Sequence, residues 1–160
     1  MVRKLSGYQI LLPSFSFILG LMPFLPVLRR EFTVDDFSNA EVYTLMDGRF
    51  GLVVTLACIY VIYKALYRSE AAVASLVLMF DSIVFVAGSV IYVHVRMLED
   101  MQAAEFFGLD TSDTGKVVTM LPGYYIGLFA AAAALLVAVC CLLTCKRKEV
   151  RLDESQHQRL

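Results

Sequence analysis

The chain has no tryptophan and only two histidines, and its four cysteines avoid the two longest polar stretches. Without cysteines there, a disulfide framework suited to an oxidising outer compartment has nothing to be built from. His94 has no second histidine near it to complete a metal site. Gly-rich phosphate loops, nucleophile elbows and zinc-peptidase motifs are missing, so the sequence points away from an enzyme and implies no cofactor. Asp110, Asp113 and Gly115 lack the twelve-residue spacing and closing glutamate of a calcium loop. Charge is scarce as well: 18% of residues carry it, with a formal total of −1.

What fills the space is apolar. Hydrophobic residues make up 59% of the 160 and the mean hydropathy is +0.69, against about 45–50% apolar in an ordinary soluble domain. A chain this short cannot hide that surface in one core, because small domains bury roughly 60–70% of what their unfolded chain exposes. A bilayer supplies the missing solvent. The expected fold is therefore all-α: a polytopic integral membrane protein, a four-transmembrane-helix bundle with two extracytoplasmic loops.

The spans follow from uncharged runs of about 20 residues, the length that crosses lipid at 1.5 Å per residue. They are expected at 9–28, 50–67, 71–95 and 123–144. Loops at 29–49 and 96–122, a turn at 68–70, an amino-terminal segment at 1–8 and a polar tail at 145–160 complete the chain. Pro13, Pro23 and Pro26 are expected to kink or end span one. No A-x-A-like cleavage site follows that span, which reads as a retained anchor rather than a signal peptide. Six tyrosines, Tyr60, Tyr63, Tyr67, Tyr92, Tyr124 and Tyr125, fall near the ends of the spans, where amphipathic rings settle.

Basic residues set the orientation. Arg3, Lys4, Lys64, Arg68, Lys146, Arg147, Lys148, Arg151 and Arg159 share one side, whereas Arg29, Arg30, Arg49, Arg96 and Lys116 share the other. The richer side is expected to be cytoplasmic, with both termini there, in the plasma membrane. Its basic rim suits anionic headgroups. Ten of the fifteen acids lie in the two outer loops, which are expected to form a small cap. Ser38-Asn39-Ala40-Glu41 fits a capping box, so a short helix is expected before span two. Span three is expected to run on past the membrane through Met97, Leu98 and Met101. Asp110 to Gly115 read as a turn, Asp35 and Asp36 as solvated, and the last dozen residues as disordered.

Small and polar residues mark the packing faces, since close approach drives helix association in lipid. Ala74, Asp81 and Gly88 recur every seven residues on span three, as do Ser75, Ser82 and Ser89. That face is expected to look into the bundle, with Val77, Phe80, Val84 and Ile91 turned more toward lipid or a partner. Gly127, Ala131 and Ala134 present a comparable surface on span four. Asp81 stands near mid-bilayer, where an ionised carboxylate costs on the order of 2.5–3.5 kcal/mol. It must be protonated, paired or hydrated, and Thr55 on span two with Ser14 or Ser16 on span one are the expected partners. Cys140, Cys141 and Cys145, beside Lys146-Arg147-Lys148, fit a site of reversible acylation; the plainer alternative is that they fill a helix end.

Two functions fit. One is a non-catalytic accessory or structural subunit of a larger membrane assembly; the other is a homo-oligomeric channel or transporter with Asp81 in its pathway. The expected partners are the lipid bilayer and other membrane subunits or copies of the chain, and no nucleic acid.

Overall fold

Proline decides where the first helix stops. In the structure, a computed structural model describing residues 7–34, 37–68, 70–106 and 117–157, α1 runs over Gly7–Leu21 with Pro13 inside it. A 3₁₀ turn with Pro23 at its start follows over Met22–Phe24, and Leu25 is already extended at φ −75° and ψ 143°. The residue before a proline is pushed out of the helical region, so the chain leaves the helix ahead of Pro26. Residues 25–28, assigned to span one from the sequence, are therefore not helical.

A strand takes their place. β1 (Pro26–Val34) pairs antiparallel with β2 (Phe37–Thr44) on one side and with β3 (Val117–Met120) on the other, so the sheet order is β2-β1-β3. This sheet was not anticipated. The helix expected at residues 38–41 is absent, because Ser38 to Glu41 belong to β2 and pair with Arg30 to Thr33. The capping chemistry sits one turn later: the Asp47 carboxylate accepts from the Thr44 amide at 2.7 Å and from its hydroxyl at 3.1 Å, at the head of a 3₁₀ turn over Leu45–Gly48.

Arg49 turns the chain into the next helix with a left-handed φ of 59°. That helix, α2, covers Phe50–Tyr63 and closes in a π turn over Lys64–Arg68. After a short link α3 extends over Ala71–Phe106, and α4 over Pro122–His157. The helix through residues 151–157 replaces the disordered tail expected there. That stretch has no glycine or proline and is rich in good helix formers. Asp35, Asp36 and Asp110 to Gly115 lie outside the described residues.

The four helices pack as one bundle. α3 lies against α4 and α2, and α1 against α2, α4 and α3. Buried positions recur at alternating steps of three and four: Gly51, Val54, Cys58 and Val61 on α2 with Ala65 in the π turn that closes it, and Gly127, Ala131, Ala134, Ala138 and Cys141 on α4. That spacing averages 3.5 residues, the seam of helices crossing at a shallow angle. The α4 seam is made of small side chains, and Phe85 of α3 fills the space that Gly127 leaves; a Cβ there would stand 2.9 Å from the ring. Among the described residues, three helical segments are long and apolar enough to cross a membrane: Phe50–Arg68, Ala71–Glu99 and Pro122–Cys145. The apolar segment of the first helix, Gln9–Phe24, is shorter.

Candidate functional site

The seven-residue rows of α3 face inward. Ala74, Ser75, Asp81, Ser82 and Ser89 are buried, with Asp81 only 3% exposed, while Phe80 and Ile91 point away from the bundle; Val77 and Val84, expected to face outward with them, are instead half-buried and packed against the core. Gly88 is half-buried and receives the Phe50 ring, whose nearest carbon would lie 2.8 Å from an added Cβ. Ser82 and Ser89 spend their hydroxyls on carbonyls of their own helix, Leu78 at 2.8 Å and Val86 at 2.9 Å. The Ser75 hydroxyl is buried without a hydrogen-bond partner.

Asp81 meets a residue that the sequence reading did not single out. The Cys58 thiol of α2 donates to Asp81 Oδ2 at 3.1 Å. Ser16 of α1 in turn donates to the Cys58 carbonyl at 2.9 Å. Three helices are thus linked through Cys58. The partners expected for Asp81 bond elsewhere: Thr55 donates to Gly51 at 2.9 Å with a longer contact to Gly20 at 3.3 Å, and Ser14 is exposed and donates to Ile10 of its own helix at 2.8 Å. Helix geometry explains the difference. Cys58 lies almost one turn beyond Thr55, on the row of Val54 and Val61, and that row carries it to the level of Asp81. The sequence carries little signal for it, because α2 is apolar on every side and its rotation cannot be read from composition, and a thiol is easily passed over as a weak donor.

The approach of α1 and α2 depends on Gly20, where an added Cβ would stand 3.1 Å from the Cys58 Cβ. Beside this crossing lies an apolar cleft of about 200 Å³, with Ser16, Gly20, Thr55 and Cys58 at its base and Phe17 and Ile59 among its walls. The polar groups at that base are already bonded within the chain.

At the sheet end, Arg96 of α3 sits over the rings of Tyr43 and Tyr92, at 5.3 and 5.6 Å, and pairs with Glu99 at 2.9 Å. A guanidinium over aromatic faces is attracted by their negative centres, so this contact joins β2 to α3. The Tyr43 hydroxyl donates to Glu41; that bond to a carboxylate, followed by partial burial, raises its pKa above the ordinary value of 10.0. At the opposite end Lys64 pairs with Glu70 at 2.8 Å across the turn between α2 and α3. Of the α4 cysteines, Cys140 is exposed, Cys141 is buried and Cys145 is half-buried. Among the described residues no group of His, Cys, Asp and Glu is arranged to hold a metal.

These features define a helical protein with three helices long and apolar enough to span a membrane, a small sheet at one end and a polar link at its centre. Compared with known proteins, the chain matches no family model and no curated sequence.

Proposed function

We propose that the protein is a non-catalytic structural or accessory subunit of a larger membrane assembly, with α1 also crossing the bilayer and both termini on the cytoplasmic side of the plasma membrane. The observation that carries this reading is the position of Asp81. It is 3% exposed and engaged by Cys58 inside its own chain, so it serves to hold α2 against α3. A pathway lined by several copies would need that carboxyl on an outer face, where a neighbouring copy or water could reach it. A two-helix hydrogen bond is the economical use of a polar side chain in lipid.

The length of α1 is compatible with crossing. Thirteen α-helical residues from Gln9 to Leu21 rise about 20 Å at 1.5 Å each, and the three residues of the 3₁₀ turn add about 6 Å at 2.0 Å each. The total of about 26 Å is close to the hydrocarbon thickness of about 30 Å. The excess of basic residues at the end opposite the sheet supports the orientation.

The test is a native mass measurement in mild detergent together with proton and cation flux into liposomes. Foreign subunits bound in fixed ratio, and no flux from wild type or Asp81→Asn, are the expected results. A symmetric ring of copies with flux lost in Asp81→Asn overturns the proposal in favour of the channel reading.

A further inference from the structure

We infer that Cys140 is the principal acceptor of a fatty acyl chain, that Cys145 is a secondary one, and that Cys141 is not acylated. The inference rests on the cytoplasmic placement of the carboxy-terminal end proposed above. Cys140 and Cys141 are neighbours in sequence, but consecutive helical residues are turned about 100° apart. Cys141 falls on the seam of Ala134 and Ala138 and is 8% exposed. Cys140 falls four residues after Leu136 and three before Leu143, which are 67% and 64% exposed. The Cys140 thiol is therefore on the outward face of α4, beside apolar side chains that an acyl chain would lie against.

Depth permits acylation at the same sulfur. The apolar segment Pro122–Cys145 ends at Cys145, and Cys140 lies five residues inside that end, about 7.5 Å along the axis. Arg147 follows on the polar side and is exposed. A thiol at this depth stands where an enzyme working at the inner boundary reaches it, and an attached chain enters lipid without crossing the headgroups. The chemistry is a thioester exchange with an acyl coenzyme A. The Cys140 thiol loses its proton, Sγ attacks the acyl carbonyl, and a new carbon–sulfur bond forms. The bond to coenzyme A sulfur breaks, and coenzyme A leaves as the thiol carrying a proton. No electrons change hands.

The test expresses the full chain, tagged at its carboxy terminus, in a eukaryotic cell fed an alkyne-bearing C16 fatty acid. Label is read on the purified protein before and after neutral hydroxylamine, for wild type, Cys140→Ser, Cys141→Ala, Cys145→Ser and the Cys140→Ser/Cys145→Ser pair. Antibody access to the tag is measured with and without permeabilisation. Expected are hydroxylamine-labile label on wild type and Cys141→Ala, a loss of more than half in Cys140→Ser, and none in the pair. An inward tag with no label on wild type, or label that persists in the pair, overturns the acylation alone. A tag that antibody reaches without permeabilisation overturns the orientation, and the acylation with it.

Discussion

Removing the Cys58 thiol should harm the protein more than removing the thiol and its partner together. Cys58→Ala keeps the Cβ that packs at Gly20 but leaves the buried Asp81 carboxyl without its donor. An unsatisfied buried acceptor costs about 1–3 kcal/mol. Asp81→Leu removes the acceptor and leaves only a thiol, a weak donor that tolerates solitude. In the double variant neither polar group remains, and replacing both partners with apolar groups is close to neutral. The small cavity left by Sγ appears with and without Asp81 and cancels in the cycle.

Interhelical hydrogen bonds in membrane proteins average about 0.6 kcal/mol and reach about 1.7. The expected coupling is therefore about 0.6–1.7 kcal/mol, with the double variant more stable than Cys58→Ala. The measurement is reversible unfolding in mixed micelles titrated with dodecyl sulfate, followed by helical circular dichroism and fitted as two states for all four proteins. A coupling indistinguishable from zero, or a double variant less stable than Cys58→Ala, would refute the bond as a structural link.

Gly123→Ala should lower stability by about 1–3 kcal/mol, the cost of overpacking, because the added Cβ would lie 2.2 Å from the Pro26 carbonyl oxygen; thermal unfolding in detergent measures it. Arg49→Gly should raise stability by about 0.5–1 kcal/mol, since a left-handed residue is strained by about 1–2 kcal/mol and part of the relief is offset by the freer unfolded chain; the same melt should move upward. Tyr43 should ionise above pH 10, since its pKa is raised from 10.0 by the bond to Glu41. A group with a raised folded pKa stabilises fully below its unfolded value and loses that contribution as pH climbs through the folded one. The tyrosinate absorbance difference between wild type and Tyr43→Phe should therefore rise above pH 10, and a midpoint at or below 10 contradicts the contact.

The long apolar runs made α2, α3 and α4 legible, because a run long enough to cross lipid has few other uses. The interior face of α3 was legible too: small and polar residues at every seventh position, as in Ser75, Ser82 and Ser89, stand out among Leu, Val and Ile. The sheet was not. β1 carries Arg29, Arg30 and Glu31 between its apolar residues, β3 has four residues, and Leu28 meets Met120 across most of the chain. Such distant pairing leaves little local trace, and a polar loop and a one-sided strand have similar composition. Pro23 and Pro26 had marked the end of α1, but the apolar run through Leu28 drew the boundary too far. Asp81 announced that it needed a partner, while the identity of that partner depended on how α2 was rotated.

The small sheet is continuous with three of the four helices. β1 emerges from α1, β2 leads into α2, and β3 passes through Leu121, whose amide donates to the Val27 carbonyl at 2.9 Å, straight into α4. Backbone hydrogen bonds thus bolt three posts to one crossbar, whereas α3 meets it through the Arg96 side chain over the Tyr43 ring. A load placed on that crossbar is shared directly by α1, α2 and α4, and reaches α3 through its packing against α4 and its bond to Cys58.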